Sequence, residues 1–139
     1  MATNTQFAIA VHLMAGLGYR AEGDRTSGQL AQSVNTSPSF VRRIVSKLSK
    51  ADLVHTAKGK AGACWLARNP REISLLDIYR AVEAPKVFAI HHYSEQKACP
   101  VSCKIKTALE SVRGQAQKAV EASLGKVSLA EVIAGMREA

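Results

Sequence analysis

The chain of 139 residues has no long hydrophobic run and only three cysteines. No apolar stretch approaches the ~20 residues that a membrane-spanning helix needs. The N-terminus lacks the charged region and apolar run of a signal peptide. Three cysteines do not make the disulfide framework of a small secreted protein. We therefore expect a cytoplasmic protein with reduced thiols and no membrane partner.

Signatures of catalysis are also missing. A cysteine with neighbouring histidines could in principle act as a nucleophile with its base. The sequence supplies no orienting third group, no oxyanion site and no glycine-rich phosphate loop. We therefore expect that the chain is not an enzyme.

What the chain does have is an excess of positive charge. Lysine and arginine together number 19 against 11 acidic residues, which gives a formal net charge of +8. From Arg42 to Arg71 the sequence holds eight basic residues and a single acidic one, Asp52. Such a concentration favours a polyanionic partner, although a solvated basic face on an ordinary helical domain has the same composition.

The start of this basic region has the pattern of two short helices joined by a turn. Apolar residues at helical spacing predict a first helix over Ser27–Val34, capped by Thr26 or Ser27. Asn35 suits the turn because asparagine tolerates the left-handed conformation. A second helix is expected from Ser37, with Pro38 in the first helical position, where its missing N–H costs nothing.

The second helix divides into an apolar stripe and a polar, basic face. The stripe comprises Phe40, Val41, Ile44, Val45 and Leu48. The other face comprises Ser39, Arg42, Arg43, Ser46, Lys47 and Lys50. Two helices joined by so short a turn are typical of the helix-turn-helix, whose second helix enters the major groove of DNA with its N-terminal residues at the base edges. We therefore predict DNA contacts from this helix at Ser37, Ser39, Arg42, Arg43 and Lys47.

A hairpin is predicted directly after the second helix. Residues 53–56 and 64–66 are β-prone, and residues 58–62 form a flexible basic loop between them. Lys58 and Lys60 in that loop suit contact with phosphate or the minor groove. The hairpin would be the wing of a winged helix-turn-helix.

Three shorter helices complete the expected domain. The first is capped by Thr3 or Asn4 and ends near Leu17, with Gly16 and Gly18 helping to stop it. The second runs from its cap at Ser74 to about residue 84, and the last spans 128–136. Residues 87–98 are expected to hold a short apolar strand or helical piece and then a mobile loop.

A long helix is predicted over residues 100–124. Apolar or small residues recur along it at alternating steps of four and three: Ile105, Leu109, Val112, Ala116, Ala119 and Ser123. This spacing is typical of a coiled-coil seam and favours a homodimer, although a stripe packed on its own domain has the same pattern. A two-fold dimer would present two recognition helices to a pseudo-palindromic double-stranded DNA site, about one DNA turn apart.

Several of these segments resemble the Rrf2 family of bacterial winged-helix regulators. The resemblance is carried by residues 37–41, 48–54, the wing, 73–78, 80–83 and 128–133, and so covers almost the whole chain. It implies that Ser39, Phe40, Arg42 and Arg43 face the DNA, that the wing reaches the minor groove, and that the last helix folds back towards the DNA-binding half.

The wing departs from the family's usual Arg-Gly-x-x-Gly-Gly-Tyr. Lys58 replaces the arginine, Ala63 the second glycine of the pair, and Cys64 the tyrosine. Lysine is a point charge that cannot fork bidentately as arginine does. Arg42 and Arg43 stand where some relatives carry acidic or amide side chains, so the preferred DNA site need not be theirs.

Cys99 and Cys103 lie four residues apart beside the start of the long helix. Both can point the same way, and a helix N-terminus stabilises a thiolate. This favours a redox or electrophile sensor at the two thiols. Several Rrf2 relatives bind an iron–sulphur cluster through three cysteines in this region, but a cluster or metal ion here would need His91, His92 or an acidic residue as a substitute ligand. Cysteines without a sensory role are the third reading.

The sequence as a whole predicts a mainly α (α+β) protein, a winged helix-turn-helix with a long C-terminal dimerisation helix. We divide it into a DNA-binding domain over 1–84, a connecting sensor region over 85–99, and the dimerisation and C-terminal helices over 100–139. The expected function is a homodimeric transcriptional regulator, a repressor, modulated at Cys99 and Cys103 and without a cofactor. The alternatives are an iron–sulphur or metal sensor, and a protein-interaction module with vestigial DNA binding.

Overall fold

The computed structural model describes residues 4–19, 25–57 and 63–138. These residues form α-helices, one 3-10 helix and a two-stranded antiparallel sheet, which confirms the predicted mainly helical winged fold with a long C-terminal helix. The elements follow in chain order: α1 (Gln6–Tyr19), α2 (Ser27–Val34), α3 (Pro38–Lys50), β1 (Val54–Thr56), β2 (Cys64–Leu66), the 3-10 helix (Pro70–Glu72), α4 (Leu75–Ala81), α5 (Pro100–Gly125) and α6 (Leu129–Glu138).

The chain divides into two units. The first comprises residues 1–84 together with 124–139, and the second comprises residues 85–123. The sequence had instead grouped residues 100–139 as one segment. The C-terminal part joins the first unit because Leu129 of α6 is fully buried there and its N–H donates to Ile73 O at 2.8 Å. The last helix therefore folds back on the first unit, as the family resemblance implied.

Local signals in the sequence set the ends of α2 and α3. Thr26 caps α2: its Oγ1 accepts from Gln29 N at 3.1 Å, and its own N–H donates to Gln29 Oε1 at 3.0 Å. Asn35 ends α2 in the left-handed conformation, with φ 68° and ψ 48°. Ser37 caps α3 by accepting from Phe40 N at 3.3 Å, and Pro38 takes the first helical position. The predicted cap at Thr26, the left-handed Asn35 and Pro38 in the first helical position are confirmed.

The core of the first unit is built from the apolar faces of its helices. Val41, Ile44, Val45 and Leu48 of α3 are all buried, whereas Phe40 is half-buried at the edge of the stripe. Each fully buried side chain of this size stabilises the fold by about 1.5–3 kcal/mol relative to exposure. This burial fixes the rotation of α3 and so decides which of its side chains face outward.

The wing hairpin is extended by a third short segment. β1 and β2 pair antiparallel, with His55 opposite Trp65. Arg25, just before α2, pairs with Cys64 of β2 through two backbone hydrogen bonds, Arg25 N to Cys64 O at 2.9 Å and Cys64 N to Arg25 O at 2.7 Å. The wing is therefore joined by its backbone to the segment that starts the helix-turn-helix.

The prediction that Gly16 and Gly18 help to end α1 is wrong. The helix continues through both to Tyr19. Gly18 instead lies at a close approach: a Cβ there would lie 2.7 Å from Ile133 Cδ1 and 3.2 Å from Leu66 Cδ1, so these side chains would have to shift. α1, α6 and the wing meet at this residue.

Two further expectations differ from the structure. α4 ends at Ala81, three residues earlier than predicted, and is followed by Glu83 with a positive φ of 52°. Residues 85–99, all of which the structure describes, contain no helix or strand, so the predicted apolar strand or helical piece within 87–98 is wrong. Among the described residues, no helix has the length and apolar character that would let it cross a membrane.

Candidate nucleic-acid interface

The outer face of α3 presents polar and basic side chains to solvent. Ser39, Arg42, Arg43, Ser46 and Lys50 are exposed, and they lie opposite the buried stripe of the same helix. A helix with this division, second in a helix-turn-helix, has the geometry that places its outer face in the major groove. Three of the predicted DNA contacts of α3, Ser39, Arg42 and Arg43, therefore lie together on one exposed surface.

Phe40 and Arg43 form a pair that the sequence did not reveal. The Arg43 guanidinium carbon lies 5.5 Å from the centroid of the Phe40 ring. A cation over an aromatic face is attracted by the ring's quadrupole, and the half-buried ring is held by the core beneath it. Phe40 therefore restricts where Arg43 can point. The i and i+3 spacing was the available signal for this contact.

Lys47 differs from the two arginines because it is half-buried. Its Nζ donates to Gln6 Oε1 in the first turn of α1 at 3.1 Å. This bond ties α1 to α3 and positions the lysine charge at the edge of the exposed face. Its contact with DNA stays a prediction.

The Ser37 side chain caps the start of α3. Its Oγ accepts from Phe40 N and lies 3.4 Å from Ser39 Oγ. The N-terminus of a helix attracts anions because its first N–H groups have no partner within the helix. Ser37 therefore caps a helix end of the kind that attracts anions, and contact of its side chain with DNA stays a prediction.

The wing carries an aromatic pair on its outer face. The rings of His55 and Trp65 have centroids 6.0 Å apart, and Trp65 is 39% exposed. Sequence reasoning gave these two residues no role beyond the strands. Lys58 and Lys60, which were predicted to contact DNA at the wing tip, lie outside the described residues.

The two predicted sensor thiols lie at the start of α5 and are both exposed. Cys99 immediately precedes the helix: its O accepts from Cys103 N at 3.1 Å, and its Sγ accepts from Ser102 N at 3.5 Å. The Cys103 thiol donates back to Gln96 O at 3.6 Å. Cys99 therefore acts as a cap for the helix, so a change at its sulphur would alter a hydrogen bond of the first turn. Cys64 is fully buried in the wing.

The four side chains offered as alternative metal ligands do not form a site. Over residues 4–19, 25–57 and 63–138, no three histidine, cysteine, aspartate or glutamate side chains are grouped so as to hold a metal ion. Cys99, Cys103, His91 and His92 are among the residues covered by this finding. The donor set of the described residues therefore does not fit an iron–sulphur cluster or a metal ion.

α5 buries no side chain along its 26 residues, all of which the structure describes. Val112 on the predicted seam is 54% exposed, while Ile105, Leu109 and Ala116 are half-buried. An amphipathic helix gains most of its stability by packing its apolar face. The seam of α5 therefore keeps part of its apolar surface exposed.

Comparison with known proteins connects this geometry to a function. A family model described as Rrf2, iron-dependent transcriptional regulator, matches residues 3–135. The chain is 39% identical over 132 residues to YwnA of Bacillus subtilis (strain 168), a protein named as an HTH-type transcriptional regulator. The match covers 94% of this chain and 96% of YwnA.

Solved structures agree with the family match. One described as a DNA-binding protein is 36% identical and superposes with a TM-score of 0.73, covering 92% of this chain and 98% of its own. The oxidized form of CymR from Staphylococcus aureus superposes with a TM-score of 0.69 over 96% of both chains. At 22% identity, that second likeness concerns the fold alone.

Proposed function

The chain belongs to the Rrf2 family of DNA-binding transcriptional regulators, and from this membership we propose that it is a homodimeric repressor of a pseudo-palindromic operator, controlled through its exposed thiols. The exposed basic face of α3, opposite the buried Val41, Ile44, Val45 and Leu48, is the single observation that carries its DNA-binding part. The proposed function has three parts: DNA contact, dimerisation and control.

DNA contact is assigned to α3 and the wing. Arg42 and Arg43 are the proposed readers of base edges, because arginine binds guanine bidentately and both side chains are exposed. Phe40 fixes the direction of Arg43 by lying beneath its guanidinium. The phosphate contacts are assigned to Ser37, Ser39, Lys47, Lys58 and Lys60.

Dimerisation is assigned to the seam of α5. Val112, Leu109 and their neighbours leave apolar surface uncovered in the single chain. Two copies of this helix packed about a two-fold axis would cover both seams at once. The same symmetry would give two copies of α3 a common orientation on a pseudo-palindromic site.

Control is assigned to Cys99 and Cys103. Oxidation or alkylation at Cys99 Sγ alters the acceptor of the Ser102 N–H bond. A disulfide from Cys99 to Cys103 would join residues four apart at a helix start, which has unfavourable geometry. Modification of Cys99 or disulfide formation destabilises the first turn of α5. The modified and unmodified dimers then differ in how they fit DNA. Repression is proposed to be lost on modification.

Fluorescence anisotropy tests the DNA-binding part, with a duplex taken from upstream of the protein's own gene at fixed salt. Arg42→Ala and Arg43→Ala are each expected to weaken binding by about 1–3 kcal/mol for a lost base contact. Lys118→Ala removes one exposed positive charge from α5 and serves as the matched control, with unchanged affinity expected. Equal affinity in all four proteins would refute the assignment of α3 as the reading helix.

The same assay tests thiol control by comparing reduced protein with protein treated with hydrogen peroxide. The expected result is weaker binding after oxidation, which disappears in Cys99→Ser and Cys103→Ser. Serine is itself a favourable cap, so Cys99→Ser keeps the start of α5 while removing the reactive sulphur. If peroxide still weakened DNA binding in both variants, the group that responds to oxidation would be neither Cys99 nor Cys103.

A further inference from the structure

The start of α5 gathers two exposed thiols on one turn of the chain. Cys99 directly precedes the helix and Cys103 lies in its first turn, and both side chains are open to solvent. Residues four apart lie on the same face of a helix, with Cβ atoms about 5–6 Å apart. The Cys103 N–H donates to Cys99 O at 3.1 Å, so helical spacing already holds between these two residues. The third cysteine, Cys64, is fully buried and therefore takes no part.

Hydrogen bonds hold the two sulphur atoms at the same end of the helix. Gln96 O accepts from Cys99 N at 3.0 Å and from the Cys103 thiol at 3.6 Å, so the second sulphur lies close to the backbone of the first cysteine. Cys99 Sγ turns towards the same helix end, because it accepts from Ser102 N at 3.5 Å. Gln96 N donates in turn to Ser102 Oγ at 2.8 Å, which ties the preceding loop to this turn. The two thiols therefore form one pair.

The spacing of the pair selects what can join the two sulphurs. A direct disulfide needs Cβ atoms about 3.5–4.5 Å apart, which is shorter than residues at i and i+4 of a helix provide. One atom placed between the sulphurs adds a further bond to the link and removes this mismatch. That atom has to be satisfied by two donors, because among residues 4–19, 25–57 and 63–138 no third histidine, cysteine, aspartate or glutamate joins the pair in a group able to hold a metal ion. A soft centre is favoured, since thiolates are soft ligands.

We propose that Cys99 and Cys103 form a binding site for trivalent arsenicals, and that capture of the arsenical weakens DNA binding. A trivalent arsenic atom that carries one organic group offers two positions to the two sulphurs. With phenylarsine oxide, both S–H bonds and the arsenic–oxygen bond break, two arsenic–sulphur bonds form, and the two protons leave with the oxygen as one water. Arsenic stays trivalent, so the step needs no oxidant. The site stands on the geometry of the pair, and its effect on DNA rests on the proposed function.

Capture changes the hydrogen bonds that begin α5. Cys103 loses the proton with which it donates to Gln96 O. Cys99 Sγ, which accepts from Ser102 N, becomes bonded to arsenic. The bridge also fixes two side chains at the start of the helix that carries the proposed dimer seam. The captured form of the dimer then presents α3 differently to DNA.

Mass spectrometry of the intact protein tests the site without DNA, with phenylarsine oxide as the probe. One phenylarsenic group per chain is expected, with the loss of two free thiols. The dithiol 2,3-dimercaptopropanol should remove it, whereas 2-mercaptoethanol at the same thiol concentration should not. Two joined contacts commonly exceed a single one by a factor of about 10²–10⁴, so Cys99→Ser and Cys103→Ser should each bind at least about a hundredfold more weakly. Wild-type affinity in either serine variant, no capture by the wild type, or arsenic that joins two chains would overturn the proposal.

Moving one thiol by a single residue separates the geometry of the pair from the mere presence of two thiols. The double variant Cys103→Ser with Lys104→Cys keeps two exposed positions for the thiols, but it places the second about 100° further round the helix. It should bind phenylarsine oxide as weakly as Cys103→Ser alone, with an unchanged far-ultraviolet circular dichroism spectrum. Capture as tight as in the wild type would show that a spacing of four residues does not define the site, and would refute it.

Fluorescence anisotropy with operator DNA then tests the regulatory half. Phenylarsine oxide is expected to raise the dissociation constant at least about fivefold in the wild type, the lower end of typical coupling between two sites. It should leave the constant unchanged in Cys103→Ser. Capture without a change in DNA affinity would refute the regulatory half while leaving the site. A protein that does not bind DNA even without the arsenical would refute the proposed function instead, and mass spectrometry would still decide the site.

Discussion

Gly16 and Gly18 stand two residues apart in α1, and replacing each by alanine is expected to change stability in opposite directions. In an open helical position, alanine is favoured over glycine by about 1 kcal/mol. Among the described residues, a Cβ at Gly16 would meet only Leu30 Cδ2, at 3.9 Å. Gly16→Ala should therefore raise the free energy of unfolding by up to about 1 kcal/mol.

Gly18→Ala meets three neighbours from three elements. The added Cβ would lie 2.7 Å from Ile133 Cδ1, 3.2 Å from Leu66 Cδ1 and 3.4 Å from Pro70 Cγ. Overpacking of this kind costs about 1–3 kcal/mol, and the helix-propensity gain is smaller at the last turn. The net expected loss is about 1–2 kcal/mol, which separates the two variants by about 2–3 kcal/mol.

Urea unfolding followed by far-ultraviolet circular dichroism, at one protein concentration, measures this difference. With slopes of about 1–3 kcal/mol per molar urea, the two midpoints should differ by roughly 1 M or more. Gly114→Ala is the control for helix propensity, since a Cβ there has no described neighbour within 4 Å. A Gly18→Ala protein as stable as Gly16→Ala would refute the reasoning, because it would show that the neighbours of Gly18 in α6 and the wing shift at little cost.

Substitutions at three other positions test separate features of the protein. Asn35→Ala should destabilise by about 1 kcal/mol because its φ is 68°, whereas Asn35→Gly should unfold close to the wild-type midpoint. Ser74→Ala removes the capping box of α4 and should lower the free energy of unfolding by about 1 kcal/mol in the same titration. Val112→Glu places a charge on the proposed seam and should give monomers in sedimentation velocity. A persistent dimer would remove α5 from the proposed interface.

The helix-turn-helix could be predicted because its signals are local. Asn35, Ser37 and Pro38 each fit one backbone position by their own chemistry, and the apolar spacing of α3 fixes which face is buried. The exposure of Arg42 and Arg43 followed directly from that spacing. On a regular helix, the spacing along the sequence is enough to assign a side chain to a face, without information on distant residues.

Features that depend on distant residues were missed or misread. Glycine is a residue type that often ends a helix, but Gly18 lies inside α1 and packs closely against Ile133, more than a hundred residues away. Residues 85–99 have no repeated apolar spacing, and no element formed there. A cavity between α1, α2 and α6 is also lined by residues from both ends of the sequence, such as Val11 and Val132. None of these associations leaves a periodic pattern in the chain.

Because Cys64 is buried, the rate at which a thiol reagent labels it reports local opening of the wing. Two thiols are exposed and should react at once with an excess of a thiol reagent, whereas Cys64 is 0% exposed and sits in a strand bonded on both sides. A buried group becomes reactive only when the surrounding structure opens. The slow third labelling rate therefore measures the free energy of opening the wing, in the unmodified sequence and with no attached probe. Added DNA that held the hairpin closed would slow that rate in proportion to its binding.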